Sequence, residues 1–173
     1  LAGSEHRRAS YMDAIRDAFR AATAAGLHSV PHAGEMTGPE IIWEAVERLG
    51  AERIGHGISA VRDPRLVARL REAAIPLEVC PTSNVRTGQV AALEEHPLPV
   101  MLAEGLTVTV NSDDPPMFGT TLTREYLTLA HVFGLGPAEI AGVARNAVRA
   151  SFMPEADKAA LLAEIDALVA GSR

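Results

Sequence analysis

The stretch SVPHAGEMTGPEIIWEAVERLGAERIGHG, residues 29–57, predicts a strand, a helix and a second strand in succession. Two short β-rich runs, at residues 29–32 and 53–56, lie on either side of a segment whose apolar residues recur at helical spacing. The helix is predicted to begin at Pro39 and to end at Gly50, because proline favours the first turn of a helix and glycine favours its end. The stretch therefore predicts one β–α–β unit of an α/β fold.

The same alternation continues along the rest of the chain. Two more strand-like runs, at residues 77–80 and 107–111, are separated by segments of helical period, and only helical patterns follow the last run. Counting back one unit from His32 places Gly3 at the tip of an earlier strand. Successive units of this length form either a doubly wound parallel sheet or part of a (β/α)8 barrel. Because no linker or boundary interrupts the pattern, we expect residues 1–173 to form a single domain.

The composition narrows the class of protein. Hydrophobic residues make up 47% and charged residues 22% of the 173 positions, which is enough apolar surface for a sizeable core. The net charge of −6 argues against nucleic-acid or anionic-membrane binding, because no basic excess is present to neutralise phosphates. The single cysteine, Cys80, excludes an internal disulfide and a multi-cysteine metal cluster. No apolar run approaches the ~20 residues of a membrane span, so we expect a soluble, cytoplasmic protein.

Polar residues follow each predicted strand at the point where the strand ends. The carboxyl ends of parallel strands open on one face of an α/β fold, so residues far apart in sequence are expected to converge there. Each run has an ordinary structural explanation, since a lone histidine usually serves the core or the surface, and paired aspartates before proline usually form a turn. Their coincidence at one rim predicts a functional site. The runs are His32-Ala33-Gly34-Glu35, Arg53-Ile54-Gly55-His56-Gly57, Cys80-Pro81-Thr82-Ser83-Asn84 and Asn111-Ser112-Asp113-Asp114-Pro115.

The residue types in these runs favour metal-assisted hydrolysis. Histidine nitrogens and aspartate oxygens are ligands for a zinc-like ion, and no set of thiolates competes with them. Such an ion lowers the pKa of its bound water to about 7, which supplies a nucleophile at neutral pH. Glu35 and His56 are the candidates for moving protons. Phosphate-binding glycine loops and a Gly-x-Ser-x-Gly elbow are absent from the sequence.

In order and spacing, the four runs resemble the adenosine deaminase family of the amidohydrolase superfamily, and the resemblance covers essentially the whole chain. It implies a (β/α)8 barrel, a zinc cofactor and a hydrolase of purine metabolism. The implied zinc ligands are His32 and Asp113, and Asp113 would also accept a hydrogen bond from the bound water. The resemblance implies that His56 orients and helps to deprotonate this water, and that Glu35 protonates the purine ring nitrogen beside the carbon under attack.

The resemblance also implies two contacts to the rest of the purine. Asp114 would bind another ring nitrogen, and the backbone N–H of Gly3 would do the same. The implied reaction is hydrolytic deamination of a 6-aminopurine nucleoside, with adenosine, converted to inosine and ammonia, as the first substrate. Residues 113–119 look closer to the branches that act on aminodeoxyfutalosine or adenine, so these two compounds are the alternative substrates.

The sequence departs from the family in one respect. The family also uses a His-x-His pair at the end of the first barrel strand, and this sequence contains no His-x-His. Only His32 and Asp113 can then be assigned as zinc ligands, fewer than the three protein ligands usual at catalytic zinc. Four strands and a strand tip also cannot close an eight-stranded barrel. We therefore interpret the chain as the C-terminal half of a (β/α)8 deaminase barrel with extra C-terminal helices.

Three hypotheses account for a half-barrel. The first is a separate N-terminal half that supplies the His-x-His pair and covers the open strand edge next to His32. The second is a non-catalytic fragment that acts as a binding or assembly module. The third is a symmetric dimer of half-barrels, which could bring two copies of His32 and Asp113 near one axis. The first hypothesis predicts activity only when the N-terminal half is present.

Overall fold

The computed structural model describes residues 1–171, apart from the side chains at positions 7 and 9. Within these residues four short strands alternate with helices, and helices alone follow the last strand. The strands are β1 (His32–Ala33), β2 (Ile54–His56), β3 (Leu77–Val79) and β4 (Val108–Val110). The α-helices are α1 (Met12–Ala24), α2 (Pro39–Leu49), α3 (Pro64–Glu72), α4 (Pro81–Arg86), α5 (Leu98–Ala103), α6 (Pro115–Phe118), α7 (Leu122–His131), α8 (Pro137–Ala150) and α9 (Glu155–Gly171). Turns of 3-10 helix span Glu5–Tyr11, Ile58–Arg62 and Leu93–Glu95.

The helix ends follow from local chemistry, as the sequence predicts. Helix α2 begins at Pro39 and is closed by Gly50, which has the left-handed φ of 61° that glycine adopts without strain. Helix α3 begins after Asp63, whose carboxylate accepts hydrogen bonds from the N–H groups of Arg65 and Leu66. The predicted order of strands and helices is therefore confirmed, although each strand is only two or three residues long.

The described residues group into two compact units. The first contains Leu1–Val79 and Pro97–Thr107, and the second contains Cys80–His96 and the residues from Val108 onward. In the first unit, β1, β2 and β3 pair in parallel, which confirms the predicted α/β class. The single domain expected for residues 1–173 stays a prediction.

The strand register of the first unit decides which residues face each other at the carboxyl ends of the strands. His32 of β1 is aligned with Gly55 of β2, and Ala33 is aligned with His56. The strands and the helices that cover them supply a core of fully buried aliphatic side chains. Burial of apolar surface stabilises the folded state by about 25 cal/mol per Å². The core therefore stabilises the packing of the strands and helices, and with it the positions of the strand ends. Its largest members are Ile42, Ile54, Leu66, Leu70, Leu77, Leu98 and Met101.

The second unit is helical around one strand. All three residues of β4 are buried, and helix α8 packs against them. Asn146 of α8 donates a hydrogen bond from Nδ2 to the carbonyl of Val108 at 3.1 Å. Helix α9 packs on α8, where Arg145 and Asp166 form an ion pair. Among the helices within residues 1–171, none combines the length and the apolar character that a membrane crossing requires.

Candidate active site

Two histidines and one glutamate lie together at the carboxyl ends of β1 and β2. The imidazole rings of His32 and His56 have their centroids 4.8 Å apart and meet edge to face, at 76°. His56 Nε2 lies 3.5 Å from Glu35 Oε2, and both side chains are largely shielded from solvent, with 3% and 14% of their surface exposed. One ligand atom from each of the three residues lies within 4.8 Å of the others. The structure therefore brings together three of the predicted site residues.

The close approach of His32 and β2 depends on Gly55. A Cβ atom at position 55 would lie 2.6 Å from Cδ2 of the His32 ring and 3.0 Å from its Cγ. Glycine leaves this space to the imidazole, which can then reach the ring of His56. The predicted Gly55-His56-Gly57 run is thus a site-shaping element and not only a tight turn.

The backbone of His56 also has an unusual conformation. Its φ is 63°, in the left-handed region that few residues other than glycine adopt, although histidine, asparagine and aspartate are enriched there. The next residue, Gly57, is left-handed as well, at 67°, and its N–H donates to the carbonyl of Ala33 at 3.0 Å. The chain thus turns away from β2 immediately after His56, and this turn is tied to the end of β1.

The donor chemistry of His32, Glu35 and His56 fits a divalent metal of the zinc type. The set offers two imidazole nitrogens and one carboxylate oxygen, which are the ligand types that zinc accepts in proteins. The same cluster also suits proton transfer. The Glu35 carboxyl and the His56 imidazole lie 3.5 Å apart, which is a short path for a proton between an acid and a base.

The predicted site residues of the second unit follow β4. Asp113 is exposed, has a left-handed φ of 53°, and accepts a hydrogen bond at Oδ2 from Ser83 Oγ at 2.7 Å. Ser83 is itself buried, so its hydroxyl fixes the direction of the carboxylate. Asp114 is exposed at the start of α6. Gly3, in the first unit, is exposed and has a φ of 92°, which glycine accommodates without strain.

Two supporting residues were missed by the sequence analysis. Glu5 accepts backbone hydrogen bonds from the turn that carries Glu35, and Arg8 donates to the carbonyl of His32. No pattern in the sequence signals either role, because the partners lie 24 to 32 residues further along the chain. Ser83 had a signal, since it belongs to the Cys80–Asn84 run that the strand-end pattern singles out.

The sequence model of the adenosine deaminase family matches residues 1–168 of this chain. The chain belongs to the adenosine deaminase family. An aminodeoxyfutalosine deaminase of Streptomyces avermitilis is 55% identical over 88% of this chain and 42% of its own length. An adenosine deaminase of Serratia proteamaculans is 46% identical over 83% of this chain and 43% of its own length. The chain thus spans less than half the length of these relatives.

Solved structures of a deaminase and of an amidohydrolase share this fold. The adenine deaminase of Arthrobacter aurescens is 44% identical, with a TM-score of 0.87 over 89% of this chain and 47% of that one. An amidohydrolase of Burkholderia ambifaria, solved with bound Zn, is 27% identical, with a TM-score of 0.87 over 98% of this chain and 48% of that one. These likenesses confirm the predicted fold, an α/β arrangement that corresponds to under half of a barrel deaminase.

Proposed function

We propose that this chain is the C-terminal half of a zinc-dependent deaminase that hydrolyses the exocyclic amine of a 6-aminopurine compound. The observation that carries the proposal is the cluster of His32, Glu35 and His56 at two adjacent parallel strand ends, with Glu35 3.5 Å from His56. This cluster combines a metal-ligand type with two proton-transfer groups, which hydrolysis of an amidine requires. Membership in the adenosine deaminase family supports the reaction class.

In the proposed reaction each residue has one task. His32 and Asp113 would hold the zinc ion, which would supply a water of lowered pKa. His56 would accept a proton from the water that attacks C6 and would stabilise the charge that develops there, and the exocyclic amine would leave as ammonia. Glu35 donates a proton to the neighbouring ring nitrogen and so makes C6 more electrophilic. Asp114 and the N–H of Gly3 bind the other ring nitrogens and orient the purine.

The proposal includes a second polypeptide segment. A catalytic zinc usually has three protein ligands, and His32 and Asp113 provide two. We propose that an N-terminal barrel half supplies a His-x-His pair, packs beside Leu1, whose carbonyl accepts the His32 N–H of β1 at 2.8 Å, and completes the wall of the substrate pocket. The alternative is that the chain is a non-catalytic fragment that acts as a binding or assembly module.

The family resemblance put adenosine first among the substrates, with aminodeoxyfutalosine and adenine as alternatives. We now propose aminodeoxyfutalosine before adenosine, because identity is higher to the aminodeoxyfutalosine deaminases than to the adenosine deaminases over similar shares of the chain. Adenine is third, on the likeness to the Arthrobacter enzyme. All three carry the amine that the proposed reaction removes.

The test is ammonia release by the purified chain, alone and together with the N-terminal half, on each of the three compounds. We expect turnover and bound zinc only when both halves are present. Glu35→Gln should abolish most of this turnover, since a general acid contributes roughly 10²- to 10⁴-fold. The matched control is Glu40→Gln, which makes the same chemical change at an exposed position of α2.

Two results would contradict the proposal. If the combined halves release no ammonia from any of the three compounds, the proposed reaction is wrong. If the chain binds one equivalent of zinc by itself, the N-terminal half is not needed to complete the metal site.

A further inference from the structure

The turn between β1 and α2 is held by a buried carboxylate from another part of the chain. Glu5, in the 3-10 helix Glu5–Tyr11, has only 2% of its surface exposed. Its Oε1 accepts the N–H of Glu35 at 3.1 Å. Its Oε2 accepts the N–H groups of Met36 and Thr37, at 3.1 and 3.0 Å, and the hydroxyl of Thr37 at 2.5 Å. Four hydrogen bonds thus join one side chain to three consecutive residues.

A second residue of the same 3-10 helix holds the other side of this turn. Arg8 has 4% of its surface exposed, and its Nη1 donates to the carbonyl of His32 at 2.6 Å. Burial lowers the pKa of the Arg8 guanidinium, and the negative charges of Glu5 and Glu44 act in the opposite direction. Glu5 and Arg8 are therefore electrostatically linked, and together they fix the backbone from His32 to Thr37.

The charge on Glu5 is matched to its task. An ionised carboxylate donates nothing and accepts at both oxygens, so Glu5 can take one hydrogen bond at Oε1 and share Oε2 among three donors. A glutamine in its place has one accepting oxygen and an NH2 group that would face a backbone N–H. Hydrogen bonds to a charged group are about twice as strong as those between neutral groups, and they shield these backbone donors from solvent.

We propose that Glu5 is a positioning residue for Glu35: by holding the three N–H groups of the turn, it sets the Glu35 carboxyl within reach of His56 and of the purine ring nitrogen. This role rests on the proposed function, in which Glu35 is the proton donor. Proton transfer requires hydrogen-bond distance between donor and acceptor, and a misplacement of about 1 Å can cost roughly a hundredfold in rate. Glu5 contacts the backbone of Glu35 and acts through it.

The kinetic test is a double-mutant cycle in the chain assayed with its N-terminal half. We expect Glu5→Gln to lower kcat by about ten- to a hundredfold with KM changed by less than about threefold. In the Glu35→Gln background the same substitution should change kcat by less than about twofold, because the group that Glu5 positions is already removed. If the two substitutions instead multiply, Glu5 supports the fold in general and the proposed role is wrong.

Amide hydrogen exchange on the purified 173-residue chain gives a test that needs no turnover. Glu5→Gln should speed exchange at the amides of residues 35–37 by about tenfold or more. The control Glu40→Gln should affect only Gly38, whose N–H donates to Glu40 Oε1 at 3.2 Å. Unchanged exchange at residues 35–37 in Glu5→Gln would overturn the role of Glu5.

A second variant serves if Glu5→Gln does not fold. Thr37→Val removes one of the four hydrogen bonds to Glu5. It should lower kcat by about threefold and speed amide exchange only within the turn. Thr37→Val with kcat and exchange unchanged would then overturn the role. If the unsubstituted enzyme shows no turnover, the proposed function fails, and hydrogen exchange alone still decides whether Glu5 holds the turn.

Discussion

Substitution of Gly55 by alanine tests the packing that brings the two site histidines together. The added Cβ would lie 2.6 Å from Cδ2 of His32, well inside the 3.4 Å at which ordinary van der Waals contact begins. The His32 ring cannot move freely, because the ring of His56 lies 4.8 Å away and the backbone of His32 is held by Arg8. Relief of the overlap therefore has to displace the imidazole of His32 or separate β1 from β2.

The expected loss of stability follows from two opposing effects. Overpacking of a fitted site costs about 1–3 kcal/mol. The reduced freedom of alanine in the unfolded chain returns about 0.4–1 kcal/mol, because the φ of Gly55 is not in the left-handed region. We expect a net loss of about 1–2 kcal/mol. For a chain of this size that lowers the Tm by about 2–8 °C.

The assay is thermal unfolding followed by circular dichroism, together with the NMR resonances of the His32 ring. Gly142→Ala is the matched control, because a Cβ at that position in α8 would meet no atom within 4 Å apart from the neighbouring backbone of its own helix. It should leave the His32 resonances unchanged and raise stability by up to about 1 kcal/mol. The reasoning is refuted if Gly55→Ala unfolds at the wild-type temperature with unshifted His32 resonances.

Two other residues give testable expectations. Burial lowers the pKa of His96 to about 4 in the folded chain, whereas an unfolded histidine has a pKa of about 6.5. Unfolding therefore takes up a proton between these two pH values. The free energy of unfolding should fall by up to about 3 kcal/mol as the pH drops from 6.5 towards 4. His96→Gln can still donate a hydrogen bond to Asn84, and it should make the free energy of unfolding depend less on pH in urea titrations at several pH values. If stability falls with pH as steeply in His96→Gln as in the wild type, His96 is not the group responsible. Ser83→Ala removes the hydroxyl bound to Asp113 and should weaken zinc binding by the combined halves about 10- to 100-fold in a competition titration. Ser112→Ala serves as its control, and equal zinc affinity in both variants would argue against Asp113 as a ligand.

The order of elements could be predicted because it is encoded by neighbouring residues. Pro39 and Gly50 mark the ends of α2, and Asp63 caps α3 through its own side chain. The nearness of His32 and His56 was also predictable, since the carboxyl ends of neighbouring parallel strands lie at one edge of the sheet. These features depend on local chemistry or on the geometry common to all parallel sheets.

The supporting contacts could not be predicted, because they depend on which distant backbone groups become buried. Glu5 has the sequence context of a surface acid, yet its partners lie at residues 35–37. His96 has no motif around it, and only packing shows that it is buried and paired with Asn84. The roles assigned to Glu35, Asp113 and the other site residues stay predictions.

The left-handed backbone at His56 and Asp113 links the proposed chemistry of these positions to backbone strain. Glycine or asparagine would fit either conformation with little strain, whereas a β-branched residue would not. Under the proposed role of Asp113 as a zinc ligand, its replacement by glycine would relax the main chain in the same step that removes the ligand. At His56 the same replacement would also leave a cavity, because the side chain is buried against the ring of His32, and the cavity would offset the gain from the relaxed backbone.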